Sequence, residues 1–166
     1  SSYLTTIEQN VFFGCSGFTG ILTLPSSIKE IGSCSFLGCS GIVGQLLIPS
    51  SVTSIGSYAF YKCDQFSSIL ISDSVEMINE SAFSECSGLR GSLSIPNKVN
   101  FIGDNAFLGC FNFIGPLTIP ESVKTIGSGA FSGCSGFNEQ LSIAKTVTSI
   151  GAHAFSKCSG FSGSLI

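Results

Sequence analysis

Eight cysteines and one histidine carry the most varied chemistry available to this 166-residue chain: thiolate nucleophile, disulfide, metal ligand. Seven of the cysteines share one register, Cys15, Cys39, Cys63, Cys86, Cys110, Cys134 and Cys158, at intervals of 24, 24, 23, 24, 24 and 24 residues. A catalytic thiol needs a base of its own, and a structural zinc site needs ligand pairs such as Cys-x-x-Cys. Neither is present. His153 is single and no repeated acid accompanies it, and Gly133-Cys-Ser-Gly136 has counterparts in every coil, which points to a structural role. Equivalent side chains in stacked coils stand about 5 Å apart with parallel vectors, a poor geometry for disulfides. The expectation is a buried ladder of free thiols packing as small apolar groups. Cys34 occupies a different, variable position shared with Asn10, Tyr58, Ser81, Asn105, Gly129 and His153, so it reads as the accessible thiol. Serines fill turns and caps, with no nucleophile elbow between a strand and a long helix, and no phosphate loop occurs. The sequence therefore reads as no enzyme, with no cofactor and no metal. One sequon, Asn79-Glu80-Ser81, is a candidate glycosylation acceptor in a secreted eukaryotic protein.

What positions these residues is a repeat. Phe12, Phe36, Phe60, Phe83, Phe107, Phe131 and Phe155 each stand three residues before a ladder cysteine. A fixed period of this size marks a solenoid, in which each unit buries its apolar face only against its neighbours. Full coils run over 21–44, 45–67, 68–91, 92–115, 116–139 and 140–163, after a partial coil 1–20 and before a stub 164–166. In coil 116–139, Leu117-Thr-Ile119 alternates in, out, in and reads as a short strand that Pro120 ends. Gly127 reads as a turn glycine with positive φ, and Asn79 replaces it in coil 68–91. Ser128–Cys134 reads as one or two helical turns capped by Ser128. About eight residues per coil point inward. The fold class is thus a solenoid arc, with short parallel strands on the concave side and turns or short helices on the convex side. Coil 68–91 has Ser72 for proline, and one residue is missing between Phe66 and Ile69, so 64–80 is expected to show altered curvature or a loosened turn.

Charged residues make up 10% and the net charge is −3, which gives no electrostatic footprint for nucleic acid. No apolar run approaches the roughly 18 residues that span a bilayer, so no membrane insertion by this segment is expected. No signal peptide opens the chain, and it starts and stops inside repeats, as a fragment of a longer array would. Binding is expected to use outward positions. One row reads Thr23, Leu47, Leu70, Ser94, Thr118, Ser142, and a second reads Glu30, Ser54, Met77, Phe101, Thr125, Ser149. A third follows the phenylalanines, as Phe13, Leu37, Tyr61, Ser84 and Leu108. Leu47, Leu70, Met77, Phe101 and Tyr61 are the candidate partner-binding residues, because contiguous exposed apolar groups mark interaction sites. Coils without a polar cap expose the surface a neighbour covers, so end-to-end self-association is also expected.

The repeat Leu117, Ile119, Pro120, Val123, Ile126, Gly127, Ala130, Phe131, Cys134, Phe137 resembles the BspA-type leucine-rich repeat across essentially the whole chain. One departure is that eight residues, not the usual seven, separate Cys134 from Ile143; only 63–71 has the shorter spacing. The longer variant resembles expanded surface-antigen families of mucosal protozoan parasites. The resemblance implies a cell-surface or secreted adhesin or surface antigen that recognises protein or glycoprotein ligands. The alternative from a different class is an intracellular scaffold or assembly protein, for which a reducing compartment would suit the free thiols.

Overall fold

The computed structural model describes residues 3–165. Its strands are β1 (Thr6–Ile7), β2 (Gly20–Ile21), β3 (Glu30–Ile31), β4 (Ile42–Leu47), β5 (Ser54–Ile55) and β6 (Phe66–Leu70). They continue as β7 (Met77–Ile78), β8 (Phe101–Ile102), β9 (Leu117–Ile119), β10 (Thr125–Ile126), β11 (Leu141–Ile143) and β12 (Ser149–Ile150). All pair in parallel, and the chain is a right-through stack of coils of the leucine-rich-repeat kind.

Two columns of strand run along the stack. The unbroken one has the order β1-β3-β5-β7-β8-β10-β12 and is built from the two residues before the repeat glycine. The Leu-x-Ile segment, read from the sequence as the strand of each coil, is strand only in part: a second column in two pieces, β2-β4-β6 and β9-β11, takes it up in β4, β6, β9 and β11, while β2 stops just before Leu22–Leu24. The physical reason is length. Proline closes Leu-x-Ile, and the Val123 N–H turns back to the Pro120 carbonyl at 3.1 Å, so the next extended stretch is only Thr125–Ile126. Two residues suffice because every coil repeats them in register, Phe101↔Thr125↔Ser149.

The segment expected to be helical is not. Among the described residues there is no helix, and 128–134 is a staircase of turns. Each coil has two left-handed residues four apart, such as Gly129 and Gly133 (φ 63° and 77°) or Tyr58 and Lys62 (both 58°). They break the helical path, so alternate N–H groups face along the stack. The Cys134 N–H bonds within its coil to the Phe131 carbonyl at 3.1 Å, while the Phe131 N–H reaches the Ala154 carbonyl of the next coil at 2.8 Å. The variable position of Cys34 and Tyr58 is therefore fixed in conformation, not in side chain.

The repeat glycine also has a different cause from the one expected. Gly103 is absent from the positive-φ residues; instead, a Cβ there would lie 2.6 Å from the Glu80 nitrogen and 2.7 Å from the Asn79 carbonyl carbon. Glycine is required by the close approach of one coil's backbone to the next. Asn79 keeps the same place by bonding back, its Nδ2 donating to the Ile55 carbonyl at 2.8 Å and to Ser54 Oγ at 3.2 Å. Ser72, in the proline position, donates to the Pro49 carbonyl at 3.0 Å. The short spacing near 64–80 does not loosen a turn. It shifts the register between Gly44 and Gln45 and accompanies the two longest strands, β4 and β6.

The core is a set of columns. In coil 116–139, Leu117, Val123, Ile126, Ala130, Phe131, Cys134 and Phe137 are fully buried, with Ile119 at 1% exposure. The phenylalanine rings stack at centroid distances of 5.1–5.6 Å from Phe12 to Phe155, widest at Phe60–Phe83 across the short coil. A second stack runs Phe113–Phe137–Phe161 at 5.8 and 5.3 Å.

Phe107→Ala removes a ring held between two others and is expected to cost about 3–5 kcal/mol, whereas half-buried Ser132→Ala should stay within about 0.5 kcal/mol. Lys62→Gly relieves a left-handed lysine and is expected to raise stability by about 0.5–1 kcal/mol. Denaturant midpoints at constant m-value check all three.

Candidate binding surface

The thiol register closes off the chemistry that cysteine types suggest. All eight cysteines are free, and Cys39, Cys63, Cys86, Cys110 and Cys134 are buried. They are more than small apolar groups. Each thiol donates to the phenylalanine carbonyl of the preceding coil, Cys39 to Phe12, Cys63 to Phe36 and Cys86 to Phe60 at 3.0 Å. Cys110 to Phe83 and Cys134 to Phe107 follow at 3.1 Å, and Cys158 to Phe131 at 3.0 Å. The same carbonyls accept the N–H of their own coil's cysteine, as Phe36 does from Cys39 at 3.1 Å. The signal for this bond in the sequence is the invariant three-residue offset from phenylalanine to cysteine, which sets one residue's carbonyl beside the next coil's thiol.

Burial pushes these thiols up. Cys63 rises from 9.0 to about 12 and Cys158 to about 11, chiefly by desolvation. Cys86, Cys110 and Cys134 are raised further by the same cause, with neighbouring cysteines adding to it. Inert, protonated thiols are the result. Cys34 is half-buried in its left-handed turn (φ 54°), and Cys15 and Cys158 are also half-buried, so Cys34 is not alone in partial exposure. His153 is exposed. Among the described residues no group of three His, Cys, Asp or Glu is placed to hold a metal ion.

The sequon falls on the frame. Both Asn79 amide bonds tie coil 68–91 to the coil before it, and Ser81 is 4% exposed, so a glycan on Nδ2 would have to displace them.

Of the outward rows, the first is outward throughout most of its length. Leu47 and Leu70 are register partners at 49% and 55% exposure. The sequence reading missed their extension: Val43 lies on the same face of β4, and its partner Ile21 on β2 is more exposed still. Burial alternates along β4, with Ile42 and Leu46 inward and Val43, Gln45 and Leu47 outward, although the residue types, apolar at 42, 43, 46 and 47, do not alternate. Met77 and Phe101 are also register partners, Met77 exposed and Phe101 half-buried, on the other strand column. In the third row, expected to face outward, only Phe13 is exposed, and Leu37, Tyr61, Ser84 and Leu108 are half-buried or buried. Ser84 is 1% exposed, and Tyr61 is half-buried, edge-on to Tyr58 at 5.8 Å under the Lys62 ammonium at 5.3 Å. The turn staircase tilts this position over the next coil.

A stack of parallel coils with one strand-and-turn unit per period defines a leucine-rich-repeat solenoid. The chain belongs to the BspA-type leucine-rich-repeat family, whose model matches six copies over residues 1–114 and 112–163. Among solved structures it is similar to a leucine-rich-repeat protein of T. pallidum, at 28% identity and TM-score 0.82, covering 96% of this chain and 72% of that one. It is similar to a leucine-rich-repeat protein of Bacteroides ovatus at 26% identity and TM-score 0.56, covering 93% and 43%. A leucine-rich cell surface protein of Faecalibacterium prausnitzii shares the fold at 24% identity and TM-score 0.55, covering 92% and 58%. The pneumococcal vaccine antigen PcpA does so at 19% identity and TM-score 0.60, over 92% and 47%. A comparison with curated proteins returns no match. Among the described residues no helix is long and apolar enough to cross a membrane.

In the unfolded chain thiols ionise near their ordinary value, whereas the folded state keeps Cys63 protonated up to about 12. Above pH 9 the unfolded state therefore binds fewer protons, and stability falls as pH rises. Each thiol that stays protonated in the fold but ionises in the unfolded chain adds about 1.4 kcal/mol per pH unit to that fall, so the buried ladder makes it steeper than one group would. Denaturant midpoints between pH 8 and 11 should drop steeply; a flat profile contradicts the ladder. Thiol titration of the native chain should reach Cys15, Cys34 and Cys158 at most, and all eight only after unfolding.

Proposed function

We propose that this chain is a non-enzymatic binding module of a cell-surface protein, recognising a protein or glycoprotein ligand of a host or another microbe through its outward strand face. The single observation carrying this reading is the pair of apolar couples on one face of β4, Ile21 with Val43 and Leu47 with Leu70, held outward by registered strands on either side of exposed Gln45. Nothing in packing calls for them there, since the core beneath is already filled by Ile42, Leu46 and Phe66. A soluble repeat normally carries small polar groups in that row, as Thr23, Ser94 and Thr118 do. The family and the similar solved structures, among them a cell surface protein and a vaccine antigen, support the surface setting. The thiols do not oppose it: protonated, hydrogen-bonded and buried, they resist the oxidation that an extracellular setting brings.

The test is binding of the purified chain to host epithelial cells and to immobilised extracellular glycoproteins. Leu47→Glu with Leu70→Glu is expected to lower binding at least about tenfold, the loss of roughly 1.4 kcal/mol or more, with an unchanged melting temperature. Binding that survives the double substitution places the contact elsewhere.

A further inference from the structure

Each ladder cysteine stands between two residues on the outer side of the stack, and in three coils these are small: Gly14-Cys15-Ser16, Gly38-Cys39-Ser40 and Gly133-Cys134-Ser135. Two adjacent coils depart together, as Lys62-Cys63-Asp64 and Glu85-Cys86-Ser87. Because the cysteines point into the stack, the flanking pairs form the rims of a groove that runs over the thiol ladder on the turn side. Across three coils the groove forms a cleft of about 390 Å³, lined by Gly38, Ser40, Lys62, Asp64, Glu85 and Ser87.

Lys62 and Glu85 occupy an unfavourable backbone. Both are left-handed, at φ 58° and 60°, where Gly14, Gly38, Gly109 and Gly133 hold φ 70–77°. Side chains resist that conformation, and strain kept where glycine serves in other coils points to a use for the side chain. Packing does not explain it, since both side chains are exposed. Ion pairing does not either. The Lys62 ammonium stands 5.3 Å over the Tyr61 ring, and the Gln65 amide donates to Asp64 Oδ1 at 3.4 Å. The Glu85 carboxylate lies along Gly109, its atoms 3.1–3.4 Å from where a Cβ would be. The two carboxylates nevertheless converge. The Cys86 thiol, raised chiefly by burial and then by Cys63, is raised further by both Asp64 and Glu85, which places them about one rung of the ladder. Lys157 shares the left-handed place, at φ 60°, but Gly133 stands in the coil before it and Ser159 follows its cysteine, so no charged pair accompanies it.

The cleft offers acceptors, a donor and groups that do both: two carboxylates, one ammonium and two seryl hydroxyls. A phosphate or sulfate would meet two negative charges against one positive, and a cationic group would be opposed by Lys62. A metal ion finds no group of three ligands placed for it among the described residues. A polyol fits, because each hydroxyl both donates and accepts, and two neighbouring hydroxyls can share one carboxylate. The length suits as well: three coils about 5 Å apart give a trough of roughly 10 Å, the reach of two sugar rings.

We propose that this cleft is a carbohydrate site, taking two adjoining rings of a neutral oligosaccharide. Asp64 and Glu85 accept from its hydroxyls, Lys62 donates to one of its oxygens, and Ser40 and Ser87 complete the hydrogen bonding at the two ends. Gly38, with no side chain, leaves one end open. The site lies on the turn side, apart from the strand face of Leu47 and Leu70, and stands independently of it.

An array of neutral, sialylated and sulfated oligosaccharides is the first measurement, with at least one neutral member expected to bind. Titrating that free oligosaccharide into the isotopically labelled chain should move the amide signals of Gly38, Lys62, Asp64 and Glu85. Lys62→Gly with Glu85→Gly restores the residue of other coils, so the melting temperature is expected to hold or rise while binding falls about tenfold or more. Lys157→Gly, the same change outside the cleft, should leave binding intact. So should Leu47→Glu with Leu70→Glu, which strikes only the strand face. Binding of no neutral oligosaccharide, amide shifts centred elsewhere, or an affinity unmoved in the double glycine variant overturns the carbohydrate site.

Discussion

A phenylalanine carbonyl that accepts two hydrogens holds this structure in order. Within a coil, Phe36 takes the N–H of Cys39; from the next coil it takes the thiol of Cys63. A carbonyl has two lone pairs, and here both are used, so a buried polar group at the centre of an apolar stack costs no unpaired acceptor. The ring on the same residue stacks at 5.3 Å on its neighbour. Ring spacing and thiol bond must agree, since one backbone carries both. Serine would donate too, but its shorter, more polar side chain fills less of the column, and alanine would leave the second lone pair empty. Cysteine is the residue that is at once small, apolar enough for burial and able to donate.

That requirement was partly legible in the sequence. The period, the coil boundaries, the inward set and the unpaired state of the thiols all follow from residues that recur at fixed places. Sequence shows which positions are constrained more clearly than what constrains them. Gly103 and Gly127 recur, but recurrence alone does not separate a left-handed turn from a backbone approaching too closely for a Cβ. The reverse holds for Asn10, Cys34, Tyr58, Ser81, Asn105, Gly129 and His153. They share a conformation, φ 52–63°, that their unlike side chains conceal. The same two left-handed residues per coil are why a segment of helical length, 128–134, is a staircase.

The candidate surface was legible in outline only. Leu47, Leu70 and Met77 stand out because polar residues fill their row elsewhere, and the structure pairs Leu47 with Leu70. Ile21 shares its repeat position with Gln45, Ser68, Ser92, Pro116 and Gln140, and Val43 shares its own with Ile114 and Asn138, so comparing coils position by position marks both as apolar where polar residues also stand. Tyr61 shows the limit. It is one residue past an inward phenylalanine, which in a helix or strand would turn it outward, and the staircase lays it half-down on the stack instead.

The thiol ladder has a direction. Every one of its bonds runs from a later coil to an earlier one, and Ser27, Ser51, Ser74 and Asn112 donate to earlier coils in the same sense. A ribosome makes the acceptors first. Each coil that emerges finds the acceptor of its thiol already in place on the coil before it, while its staircase N–H groups, like that of Phe131 on Ala154, wait for the coil that follows. Truncation tells on the two kinds of bond in opposite ways. Losing a later coil leaves a phenylalanine carbonyl still bonded to its own cysteine N–H, whereas losing an earlier one strands a thiol with no acceptor. That same later loss frees the staircase N–H groups of Gly129, Phe131 and Gly133, so each end of a shortened array is left with its own kind of unpaired group: donors of the turn at the carboxyl end, thiols at the amino end.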